Sequence, residues 1–274
     1  MKRLLLISFL LFSSFLYSQT VNVMSYNIKY DNKHDSVNNW ELRKEKMVEL
    51  IQYYNADFIG LQESLLHQHS YLKQELGHFN LIGVGRDDGK DKGEFSPILF
   101  NHNKYKLIKS STFWLSETPG TPSTGWDAAL NRVCTYGLFE DIVSKKKIWI
   151  FNTHFDHVGN EARSKSTRLI VKKINELNSH NYPVVLMGDL NLTPEKEPIQ
   201  FLKSTLKDAK EISKSSFYGP NGTYNGFKND IINVRIDYIF TKYIEVHSFI
   251  HIDDRLNTNN HISDHYPVLA NIKF

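Results

Sequence analysis

Apolar residues fall into short runs separated by turn-forming residues. Residues 21–28, 57–62, 96–100, 148–155, 184–190, 235–240 and 266–272 are rich in Val, Ile, Phe and Tyr, the composition of β-strands. Residues 105–115 and 133–139 are further strand candidates. Val184-Val185-Leu186-Met187 is apolar without a break, as expected of a strand covered on both faces. Between these runs the apolar period lengthens. Leu42, Met47, Leu50, Ile51 and Tyr54 form one helical stripe after the cap candidates Asn38 and Asn39. Leu169, Ile170, Ile174 and Leu177 form a second within 161–178. Thr193-Pro194 has the form of a cap and first turn for a third helix carrying Ile199, Leu202 and Leu206. No repeat, low-complexity tract or linker interrupts this order. The pattern predicts one α/β domain of stacked sheets flanked by helices.

The first 18 residues read differently. Met1-Lys2-Arg3 precedes an apolar run over residues 4–16, and Tyr17-Ser18 offers a small residue before Gln19. This is the three-part pattern of a secretory signal peptide, with cleavage expected after Ser18 and the domain spanning 19–274. The run is shorter than the ~20 residues a membrane span requires, and no later run reaches that length, so no stable membrane insertion is expected. The expected location is the periplasm or the extracellular space. Cys134 is the only cysteine, which excludes an intrachain disulfide and a cysteine metal cluster. Stability must therefore come from the core. Aromatics at 13% and charged residues at 23% are ordinary globular values.

The residues that carry chemistry are polar groups at the ends of apolar strands. Asn27 ends the first, Gln62 and Glu63 the second, His154 and Asp156 a middle one, and Asp189 and Asn191 the run at 184–190. Asp237 sits inside Arg235-Ile236-Asp237-Tyr238, and Asp264-His265 precedes the last strand. The spacing within Asp189/Asn191 and within His154/Asp156 is i, i+2, which points both side chains to one strand face. A carboxylate among apolar neighbours, such as Asp237, requires a partner, and histidine is the natural one. Each residue alone reads equally well as a turn or helix-cap group; their joint occurrence at strand ends is the signal. Glu63 and Asp264 offer carboxylates to a hard divalent cation. Asp189 can orient or deprotonate a water, and Asn191 and His154 can donate to phosphoryl oxygen. His265 held by Asp237 forms an oriented acid/base pair. The set suits metal-assisted hydrolysis of a phosphate ester.

The segments Ser25-Tyr26-Asn27, Leu61-Gln62-Glu63, Asn152-Thr153-His154, Gly188-Asp189-Leu190-Asn191, Arg235-Ile236-Asp237-Tyr238 and Ser263-Asp264-His265 resemble the endonuclease/exonuclease/phosphatase superfamily, which has the fold of deoxyribonuclease I. The resemblance covers nearly the whole mature chain. It implies a four-layer α/β sandwich with two mixed β-sheets packed face to face and helices outside. It also implies a Mg²⁺-dependent phosphoric ester hydrolase, with Mn²⁺ as an alternative ion. By position, Glu63 resembles the principal metal ligand, with Asn27 and Asp264 close by. Asp189 and Asn191 match the pair that handles water and phosphate, Asp237 and His265 the paired Asp and His, and His154 the phosphate-contacting His. Gly85-Arg86-Asp87-Asp88-Gly89, Gly125-Trp126-Asp127 and His154-Phe155-Asp156-His157 look like a secreted bacterial subgroup and are expected to border the site. Arg86 and Arg132 are candidates for a second phosphate or acidic group, and Trp126 for stacking on a sugar or base. Asp156 is a candidate for the substrate site, for extending the metal site or for holding His154. A loop ion pair for Arg86 and plain packing for Trp126 are the competing readings.

Charge then separates the substrate classes. The chain carries 33 Lys and Arg against 30 Asp and Glu, a surplus that invites a nucleic-acid reading. Removing Lys2 and Arg3 with the signal leaves 31 against 30. A near-neutral mature protein favours a small phosphomonoester or phosphodiester, with an extracellular nuclease as the alternative. A non-catalytic binding module would have lost part of the Glu63, Asp189, Asn191, Asp237, His265 set, and all five are present. No obligate protein partner is evident.

Overall fold

The computed structural model describes residues 20–274, so the expected signal segment lies outside the described residues. The first half of the fold comprises β1 (Val21–Asn27), α1 (Trp40–Tyr54), β2 (Phe58–Gln62), α2 (Leu66–Glu75), β3 (Phe79–Ile82) and β4 (Ile98–Asn101). There follow β5 (Tyr105–Trp114), β6 (Val133–Asp141), β7 (Lys147–His154), α3 (Asn160–Leu177), β8 (Val184–Asp189) and α4 (Glu197–Thr205). The chain closes with β9 (Lys207–Asp208), α5 (Ala209–Ile212), β10 (Asp237–Lys242), β11 (Glu245–His251) and β12 (Val268–Lys273).

These strands form two six-stranded mixed sheets, ordered β11-β12-β1-β2-β4-β3 and β5-β6-β7-β8-β10-β9. The centres are built alike. β1 pairs in parallel with β2 and antiparallel with β12; β8 pairs in parallel with β7 and antiparallel with β10. Three apolar layers result. Phe58, Ile150, Met187, Phe249 and Ala270 fill the space between the sheets. Helices α1 and α2 cover one outer face over Met24, Ile59 and Leu61, and α3 and α4 cover the other over Phe151, Leu186 and Tyr238. This is the expected four-layer sandwich. Among the described residues no helix is long and apolar enough to cross a membrane.

Several local expectations are corrected. Leu42 is 58% exposed, and α1 instead buries Trp40, Arg43, Met47, Leu50 and Ile51, so Trp40 sets the helix phase and not Leu42. The third predicted helix, α4, starts at Glu197 with Pro198 in its first turn, and Pro194 lies in the loop before it. Asp237 is the first residue of β10 rather than an interior one. Helix α2 escaped prediction because its buried positions are Gln68, His69 and Leu72. Strand β11 escaped because a bulge between Val246 and Ser248 breaks its alternation.

The inter-sheet face is graded from apolar to polar. Alternation along β1 sends Val21, Val23, Ser25 and Asn27 inward; along β2 it is Phe58, Gly60 and Gln62, and along β7 it is Ile148, Ile150, Asn152 and His154. Each strand is therefore greasy at one end and polar at the other, and all the polar ends coincide. The first polar layer is buried and fully enclosed. Asn152 Nδ2 donates across the sandwich to Leu61 O (2.7 Å) and Pro97 O (2.8 Å), and Gln62 Nε2 donates to Asn152 Oδ1 (2.7 Å) and Ser25 Oγ (3.2 Å). Gly60 makes room for it, since a Cβ there would stand 2.6 Å from Asn152 Oδ1.

Candidate active site

Above that layer the two sheets deliver their strand ends to one point. Register places His154 opposite Asp189 and Asp189 opposite Asp237. Gly188, at φ 150°, permits this: a Cβ would lie 2.0 Å from Thr153 O of the neighbouring strand, a contact no side chain could accept. From the other sheet come Asn27 and Glu63, the latter at φ 58° immediately after β2. The loop before β12 supplies Asp264 and His265. It is stitched to both sheets: Ser263 Oγ donates to Asn27 O (2.7 Å), Asn225 N donates to Asp264 O (2.8 Å), and Thr223 Oγ1 accepts from Asp237 N (3.1 Å). Arg43, fully buried in α1, donates to the carbonyls of Ile28 (2.9 Å) and Ile262 (2.8 Å) and so ties the Asn27 loop to the Asp264 loop from behind.

His265 Nδ1 lies 2.9 Å from Asp237 Oδ2, and its Nε2 lies 3.7 Å from Asp189 Oδ2. Burial disfavours its charge, but Asp237 and Asp189 dominate and push its pKa up to about 10, so the ring is an imidazolium. Burial and the neighbouring Asp237 raise Asp189 to about 7, against the pull of His265. Asp189 Oδ1 accepts from Asn191 N (2.9 Å), and its Oδ2 accepts from Asn27 Nδ2 (3.0 Å). Asn191, at φ 48°, donates Nδ2 to Phe155 O (3.0 Å) and approaches His154 Nε2 (3.1 Å). Burial and then the charges of Arg132 and Arg86 pull His154 well below its usual pKa, so it is neutral and can accept from Asn191.

A second group of charges adjoins the first. Lys29 Nζ lies 3.5 Å from Glu63 Oε2 and 3.7 Å from Asp264 Oδ2. Burial opposes ionisation of Glu63, yet Lys29 and His265 hold it below the usual range. Burial raises Asp264, His265 opposes the rise, and Glu63 adds to it. Two crowded carboxylates with oxygen donors suit a hard divalent cation. Asn27, an expected ligand, turns Nδ2 to Glu63 Oε1 (3.2 Å) and Asp189 Oδ2 (3.0 Å), and its Oδ1 accepts from Lys29 N (3.1 Å). It thereby aligns the carboxylates of Glu63 and Asp189. Asp189, Asp237 and His265 also bring one ligand atom each within 4.8 Å of one another. The His265 proton offsets one of the two carboxylates in that trio, as Lys29 offsets one of Glu63 and Asp264, so either group retains negative charge for a cation.

These groups floor a cleft of about 850 Å³ whose walls include Lys29, Tyr30, Arg132, His154, His157, Lys196 and Tyr224. Of the expected site residues, Glu63, Asp264, His154, Asp189, Asn191, His265 and Arg132 line it. Asp237 and Asn27 stand behind it. Arg86, Trp126 and Asp156 are not in its lining. Both Arg86 nitrogens Nη1 and Nη2 are held by Glu94 (2.7 and 2.9 Å), the loop ion pair. Trp126, at φ 51°, is half-buried and donates its amide to Glu117. Asp156 does not share a face with His154, because β7 ends there; its oxygens accept the amides of Val158, Gly159 and Leu130. Burial opposes that carboxylate's charge, but the Gly159 and Val158 amides bring its pKa down to about 2. Lys29 went unrecognised as a lining residue. Tyr224 packs its ring 5.1 Å from that of His265; it lies in the turn-rich stretch 221–227, whose aromatics the sequence offers as candidates for the substrate rim, with surface packing as the alternative. For Lys29, the signal was its position two residues after Asn27.

The comparisons agree with this architecture. The model of the Endonuclease/Exonuclease/phosphatase family matches residues 24–265. A solved protein of that family from Bacteroides thetaiotaomicron superposes with a TM-score of 0.90 at 36% identity, covering 93% of this chain and 98% of its own. A mannosyl-6-phosphatase of Bacteroides thetaiotaomicron superposes with a TM-score of 0.88 at 36% identity, covering 93% and 100%. In sequence, an uncharacterized protein of Acanthamoeba polyphaga mimivirus is 26% identical over 270 residues, 91% of this chain and 98% of its own. The CCR4-NOT transcription complex subunit 6-like-B of Xenopus laevis is 24% identical over 243 residues, 69% of this chain and 44% of its own. With its two six-stranded sheets and a family match over residues 24–265, the chain belongs to the Endonuclease/Exonuclease/phosphatase family.

Proposed function

We propose that this protein is an exported, divalent-metal-dependent phosphatase of small phosphomonoesters, sugar phosphates foremost. The observation that carries the reading is the joining of two unlike sites at one cleft floor. An anionic pair, Glu63 and Asp264, adjoins an imidazolium held between Asp237 and Asp189. The 36% identity with a mannosyl-6-phosphatase over nearly the whole chain supports the substrate class.

Glu63 and Asp264 would hold the ion, Mg²⁺ or Mn²⁺, with Asn27 keeping the Glu63 carboxylate in register with that of Asp189. When bound, such an ion supplies Lewis-acid polarisation of the phosphoryl oxygens. The remaining work belongs to the chain. Asp189, kept partly protonatable near neutrality by its burial, accepts the proton of the attacking water. Asn27 and the Asn191 amide fix its two oxygens in place. His265, oriented through Nδ1 by Asp237, presents a charged Nε2–H to the developing negative charge. Asn191 and His154 contact the phosphoryl oxygens, and a bound phosphate would restore the basicity that the nearby guanidiniums remove from His154. Tyr224 covers His265 and offers a ring face to the leaving sugar.

The test is a panel of p-nitrophenyl phosphate, mannose 6-phosphate, bis-p-nitrophenyl phosphate, DNA, RNA and sphingomyelin with Mg²⁺ or Mn²⁺. The monoesters should be turned over, and Glu63→Ala or His265→Ala should abolish turnover. Cleavage of nucleic acid in preference to every small ester would establish the nuclease alternative, and cleavage of nothing would remove the enzymatic reading. Export is checked by sequencing the mature N-terminus, which should begin at Gln19.

A further inference from the structure

The cleft wall beyond His154 carries a buried guanidinium with a hydrogen-bond donor to spare. Arg132 immediately precedes β6, and its side chain is only 5% exposed. Its Nη2 lies 3.1 Å from His157 Nδ1, and its Nε lies 3.5 Å from Asp156 Oδ2. Asp156 is its counterion through Nε alone, and three backbone amides share the same carboxylate oxygens. Nη1 of Arg132 is buried and has no hydrogen-bond partner among the described residues. Arg86, the neighbouring guanidinium, is matched by the two-pronged contact with Glu94. Of two crowded guanidiniums, Arg86 has both terminal nitrogens engaged and Arg132 has one of them free.

The cleft's other cations are differently placed. Lys29 serves Glu63 and Asp264, and Lys196 is exposed beside Glu195. Arg163 is buried and, among the described residues, leaves its Nε unused, but both of its terminal nitrogens are engaged, by Asp156 O and Asn160 Oδ1. Of the two buried guanidiniums in the lining that holds His154 and Asn191, Arg132 is the one with a terminal N–H to spare. A buried guanidinium with an unused N–H is stabilised by an anion that can accept from it.

Phosphate esters differ in how well they meet that need. A monoester has a second ionisation near pH ~6, so at neutral pH it carries almost two charges on three terminal oxygens. A diester carries one charge and puts a second alkyl group where the third oxygen would be. We propose that Arg132 binds the terminal oxygens of the phosphomonoester dianion and sets the preference of the cleft for monoesters over diesters. The inference rests on the phosphoesterase reading and goes beyond it by naming the residue that selects the ester class.

The experiment compares wild type, Arg132→Gln and Arg132→Lys on p-nitrophenyl phosphate and bis-p-nitrophenyl phosphate at saturating metal. Inorganic phosphate serves as a binding probe in thermal-shift titrations. Arg132→Gln should lower the ratio of monoester to diester kcat/KM by about 30-fold, the worth of one charge-assisted contact, and should abolish the phosphate-induced rise in Tm. Arg132→Lys keeps the charge and the fold but loses the planar fork, and its ratio should fall by roughly one third as much on a logarithmic scale. If Arg132→Gln does not fold, Arg132→Lys decides the question. An unchanged ratio in either folded variant overturns the proposal, even if both activities fall. A wild type that cleaves diesters only overturns the proposal and leaves the phosphoesterase reading standing. A wild type that cleaves neither ester removes both.

Discussion

Asn152 is the sharpest place to test how the sandwich supports its site. Its amide spans the two sheets through three buried hydrogen bonds of 2.7–2.8 Å, to Leu61 O, Pro97 O and Gln62 Nε2. Replacing it by Ala removes all three and opens a small void. At about 1 kcal/mol net for each bond, with more for any group left dry and unpaired, the loss is about 3 kcal/mol. For a domain of this size each kcal/mol lowers Tm by about 2–4 °C, so the expected fall is about 6–12 °C. Urea unfolding followed by circular dichroism should show a lower midpoint with an unchanged m-value. Asn152→Leu separates the causes. Leu fills the space but satisfies none of the partners, so it should destabilise at least as much as Ala. The reasoning fails if Asn152→Leu restores wild-type stability, because packing and not hydrogen bonding would then hold the sheets together at this level.

Gly60→Ala should cost about 1–3 kcal/mol by overpacking, because its Cβ would meet Asn152 Oδ1 at 2.6 Å and Met187 Cε at 2.8 Å. The penalty should shrink in an Asn152→Ala background, and strict additivity in that double-mutant cycle would refute the assigned clash. The His265 ring should remain protonated through pH 9 in an NMR titration, since its folded pKa is raised to about 10. The stability it contributes is full below its unfolded value near ~6.5 and fades as pH rises through the folded value; a titration midpoint near neutrality would contradict this, and Asp237→Asn should lower the midpoint. His251 behaves oppositely. Burial chiefly drives its pKa down to about 3, while its ring lies 2.7 Å from Pro220 O. The unfolded chain then takes up a proton below ~6.5 that the fold refuses, at up to ~1.4 kcal/mol per pH unit. Stability measured from pH 6 down to pH 4 should therefore fall more steeply in wild type than in His251→Gln, and parallel slopes would dismiss the effect.

How much of this was legible in the sequence depends on the range of the interaction. Strands such as β8, with Val184 to Met187 unbroken, announce themselves, because burial on both faces needs only local composition. Asn27, Glu63, His154 and Asp189 stand out for the same reason: each is polar where the local pattern is apolar. The phase of α1 was less visible, since its buried face includes Arg43, a charge that pattern reading assigns to solvent. Its acceptors, Ile28 O and Ile262 O, lie 15 and 219 residues away. Arg86, whose ion pair was one of two open readings, and Asp156 show the same limit. A charged residue near a site motif looks available until Glu94 or a set of loop amides is seen to have taken it, and those partners are fixed by tertiary structure alone.

The convergence itself has a simple mechanical origin. In each sheet a parallel pair, β1–β2 or β7–β8, ends at the same level, and an antiparallel neighbour, β12 or β10, begins there. Six chain ends are thus gathered at one rim by strand direction alone. The inward face of each strand then changes from apolar to polar over two or three alternating positions, as in Val185, Met187 and Asp189. A carboxylate placed deeper would pay for desolvation without a charged partner, and one placed further out would lose the field that raises Asp189 and His265. The site lies at the only depth where buried carboxylates can still be reached by water and answered by a neighbour from the facing sheet. That depth is fixed by the Asn152–Gln62 layer immediately beneath, so perturbing Asn152 should move the pH midpoints of the residues above it as well as the stability of the fold.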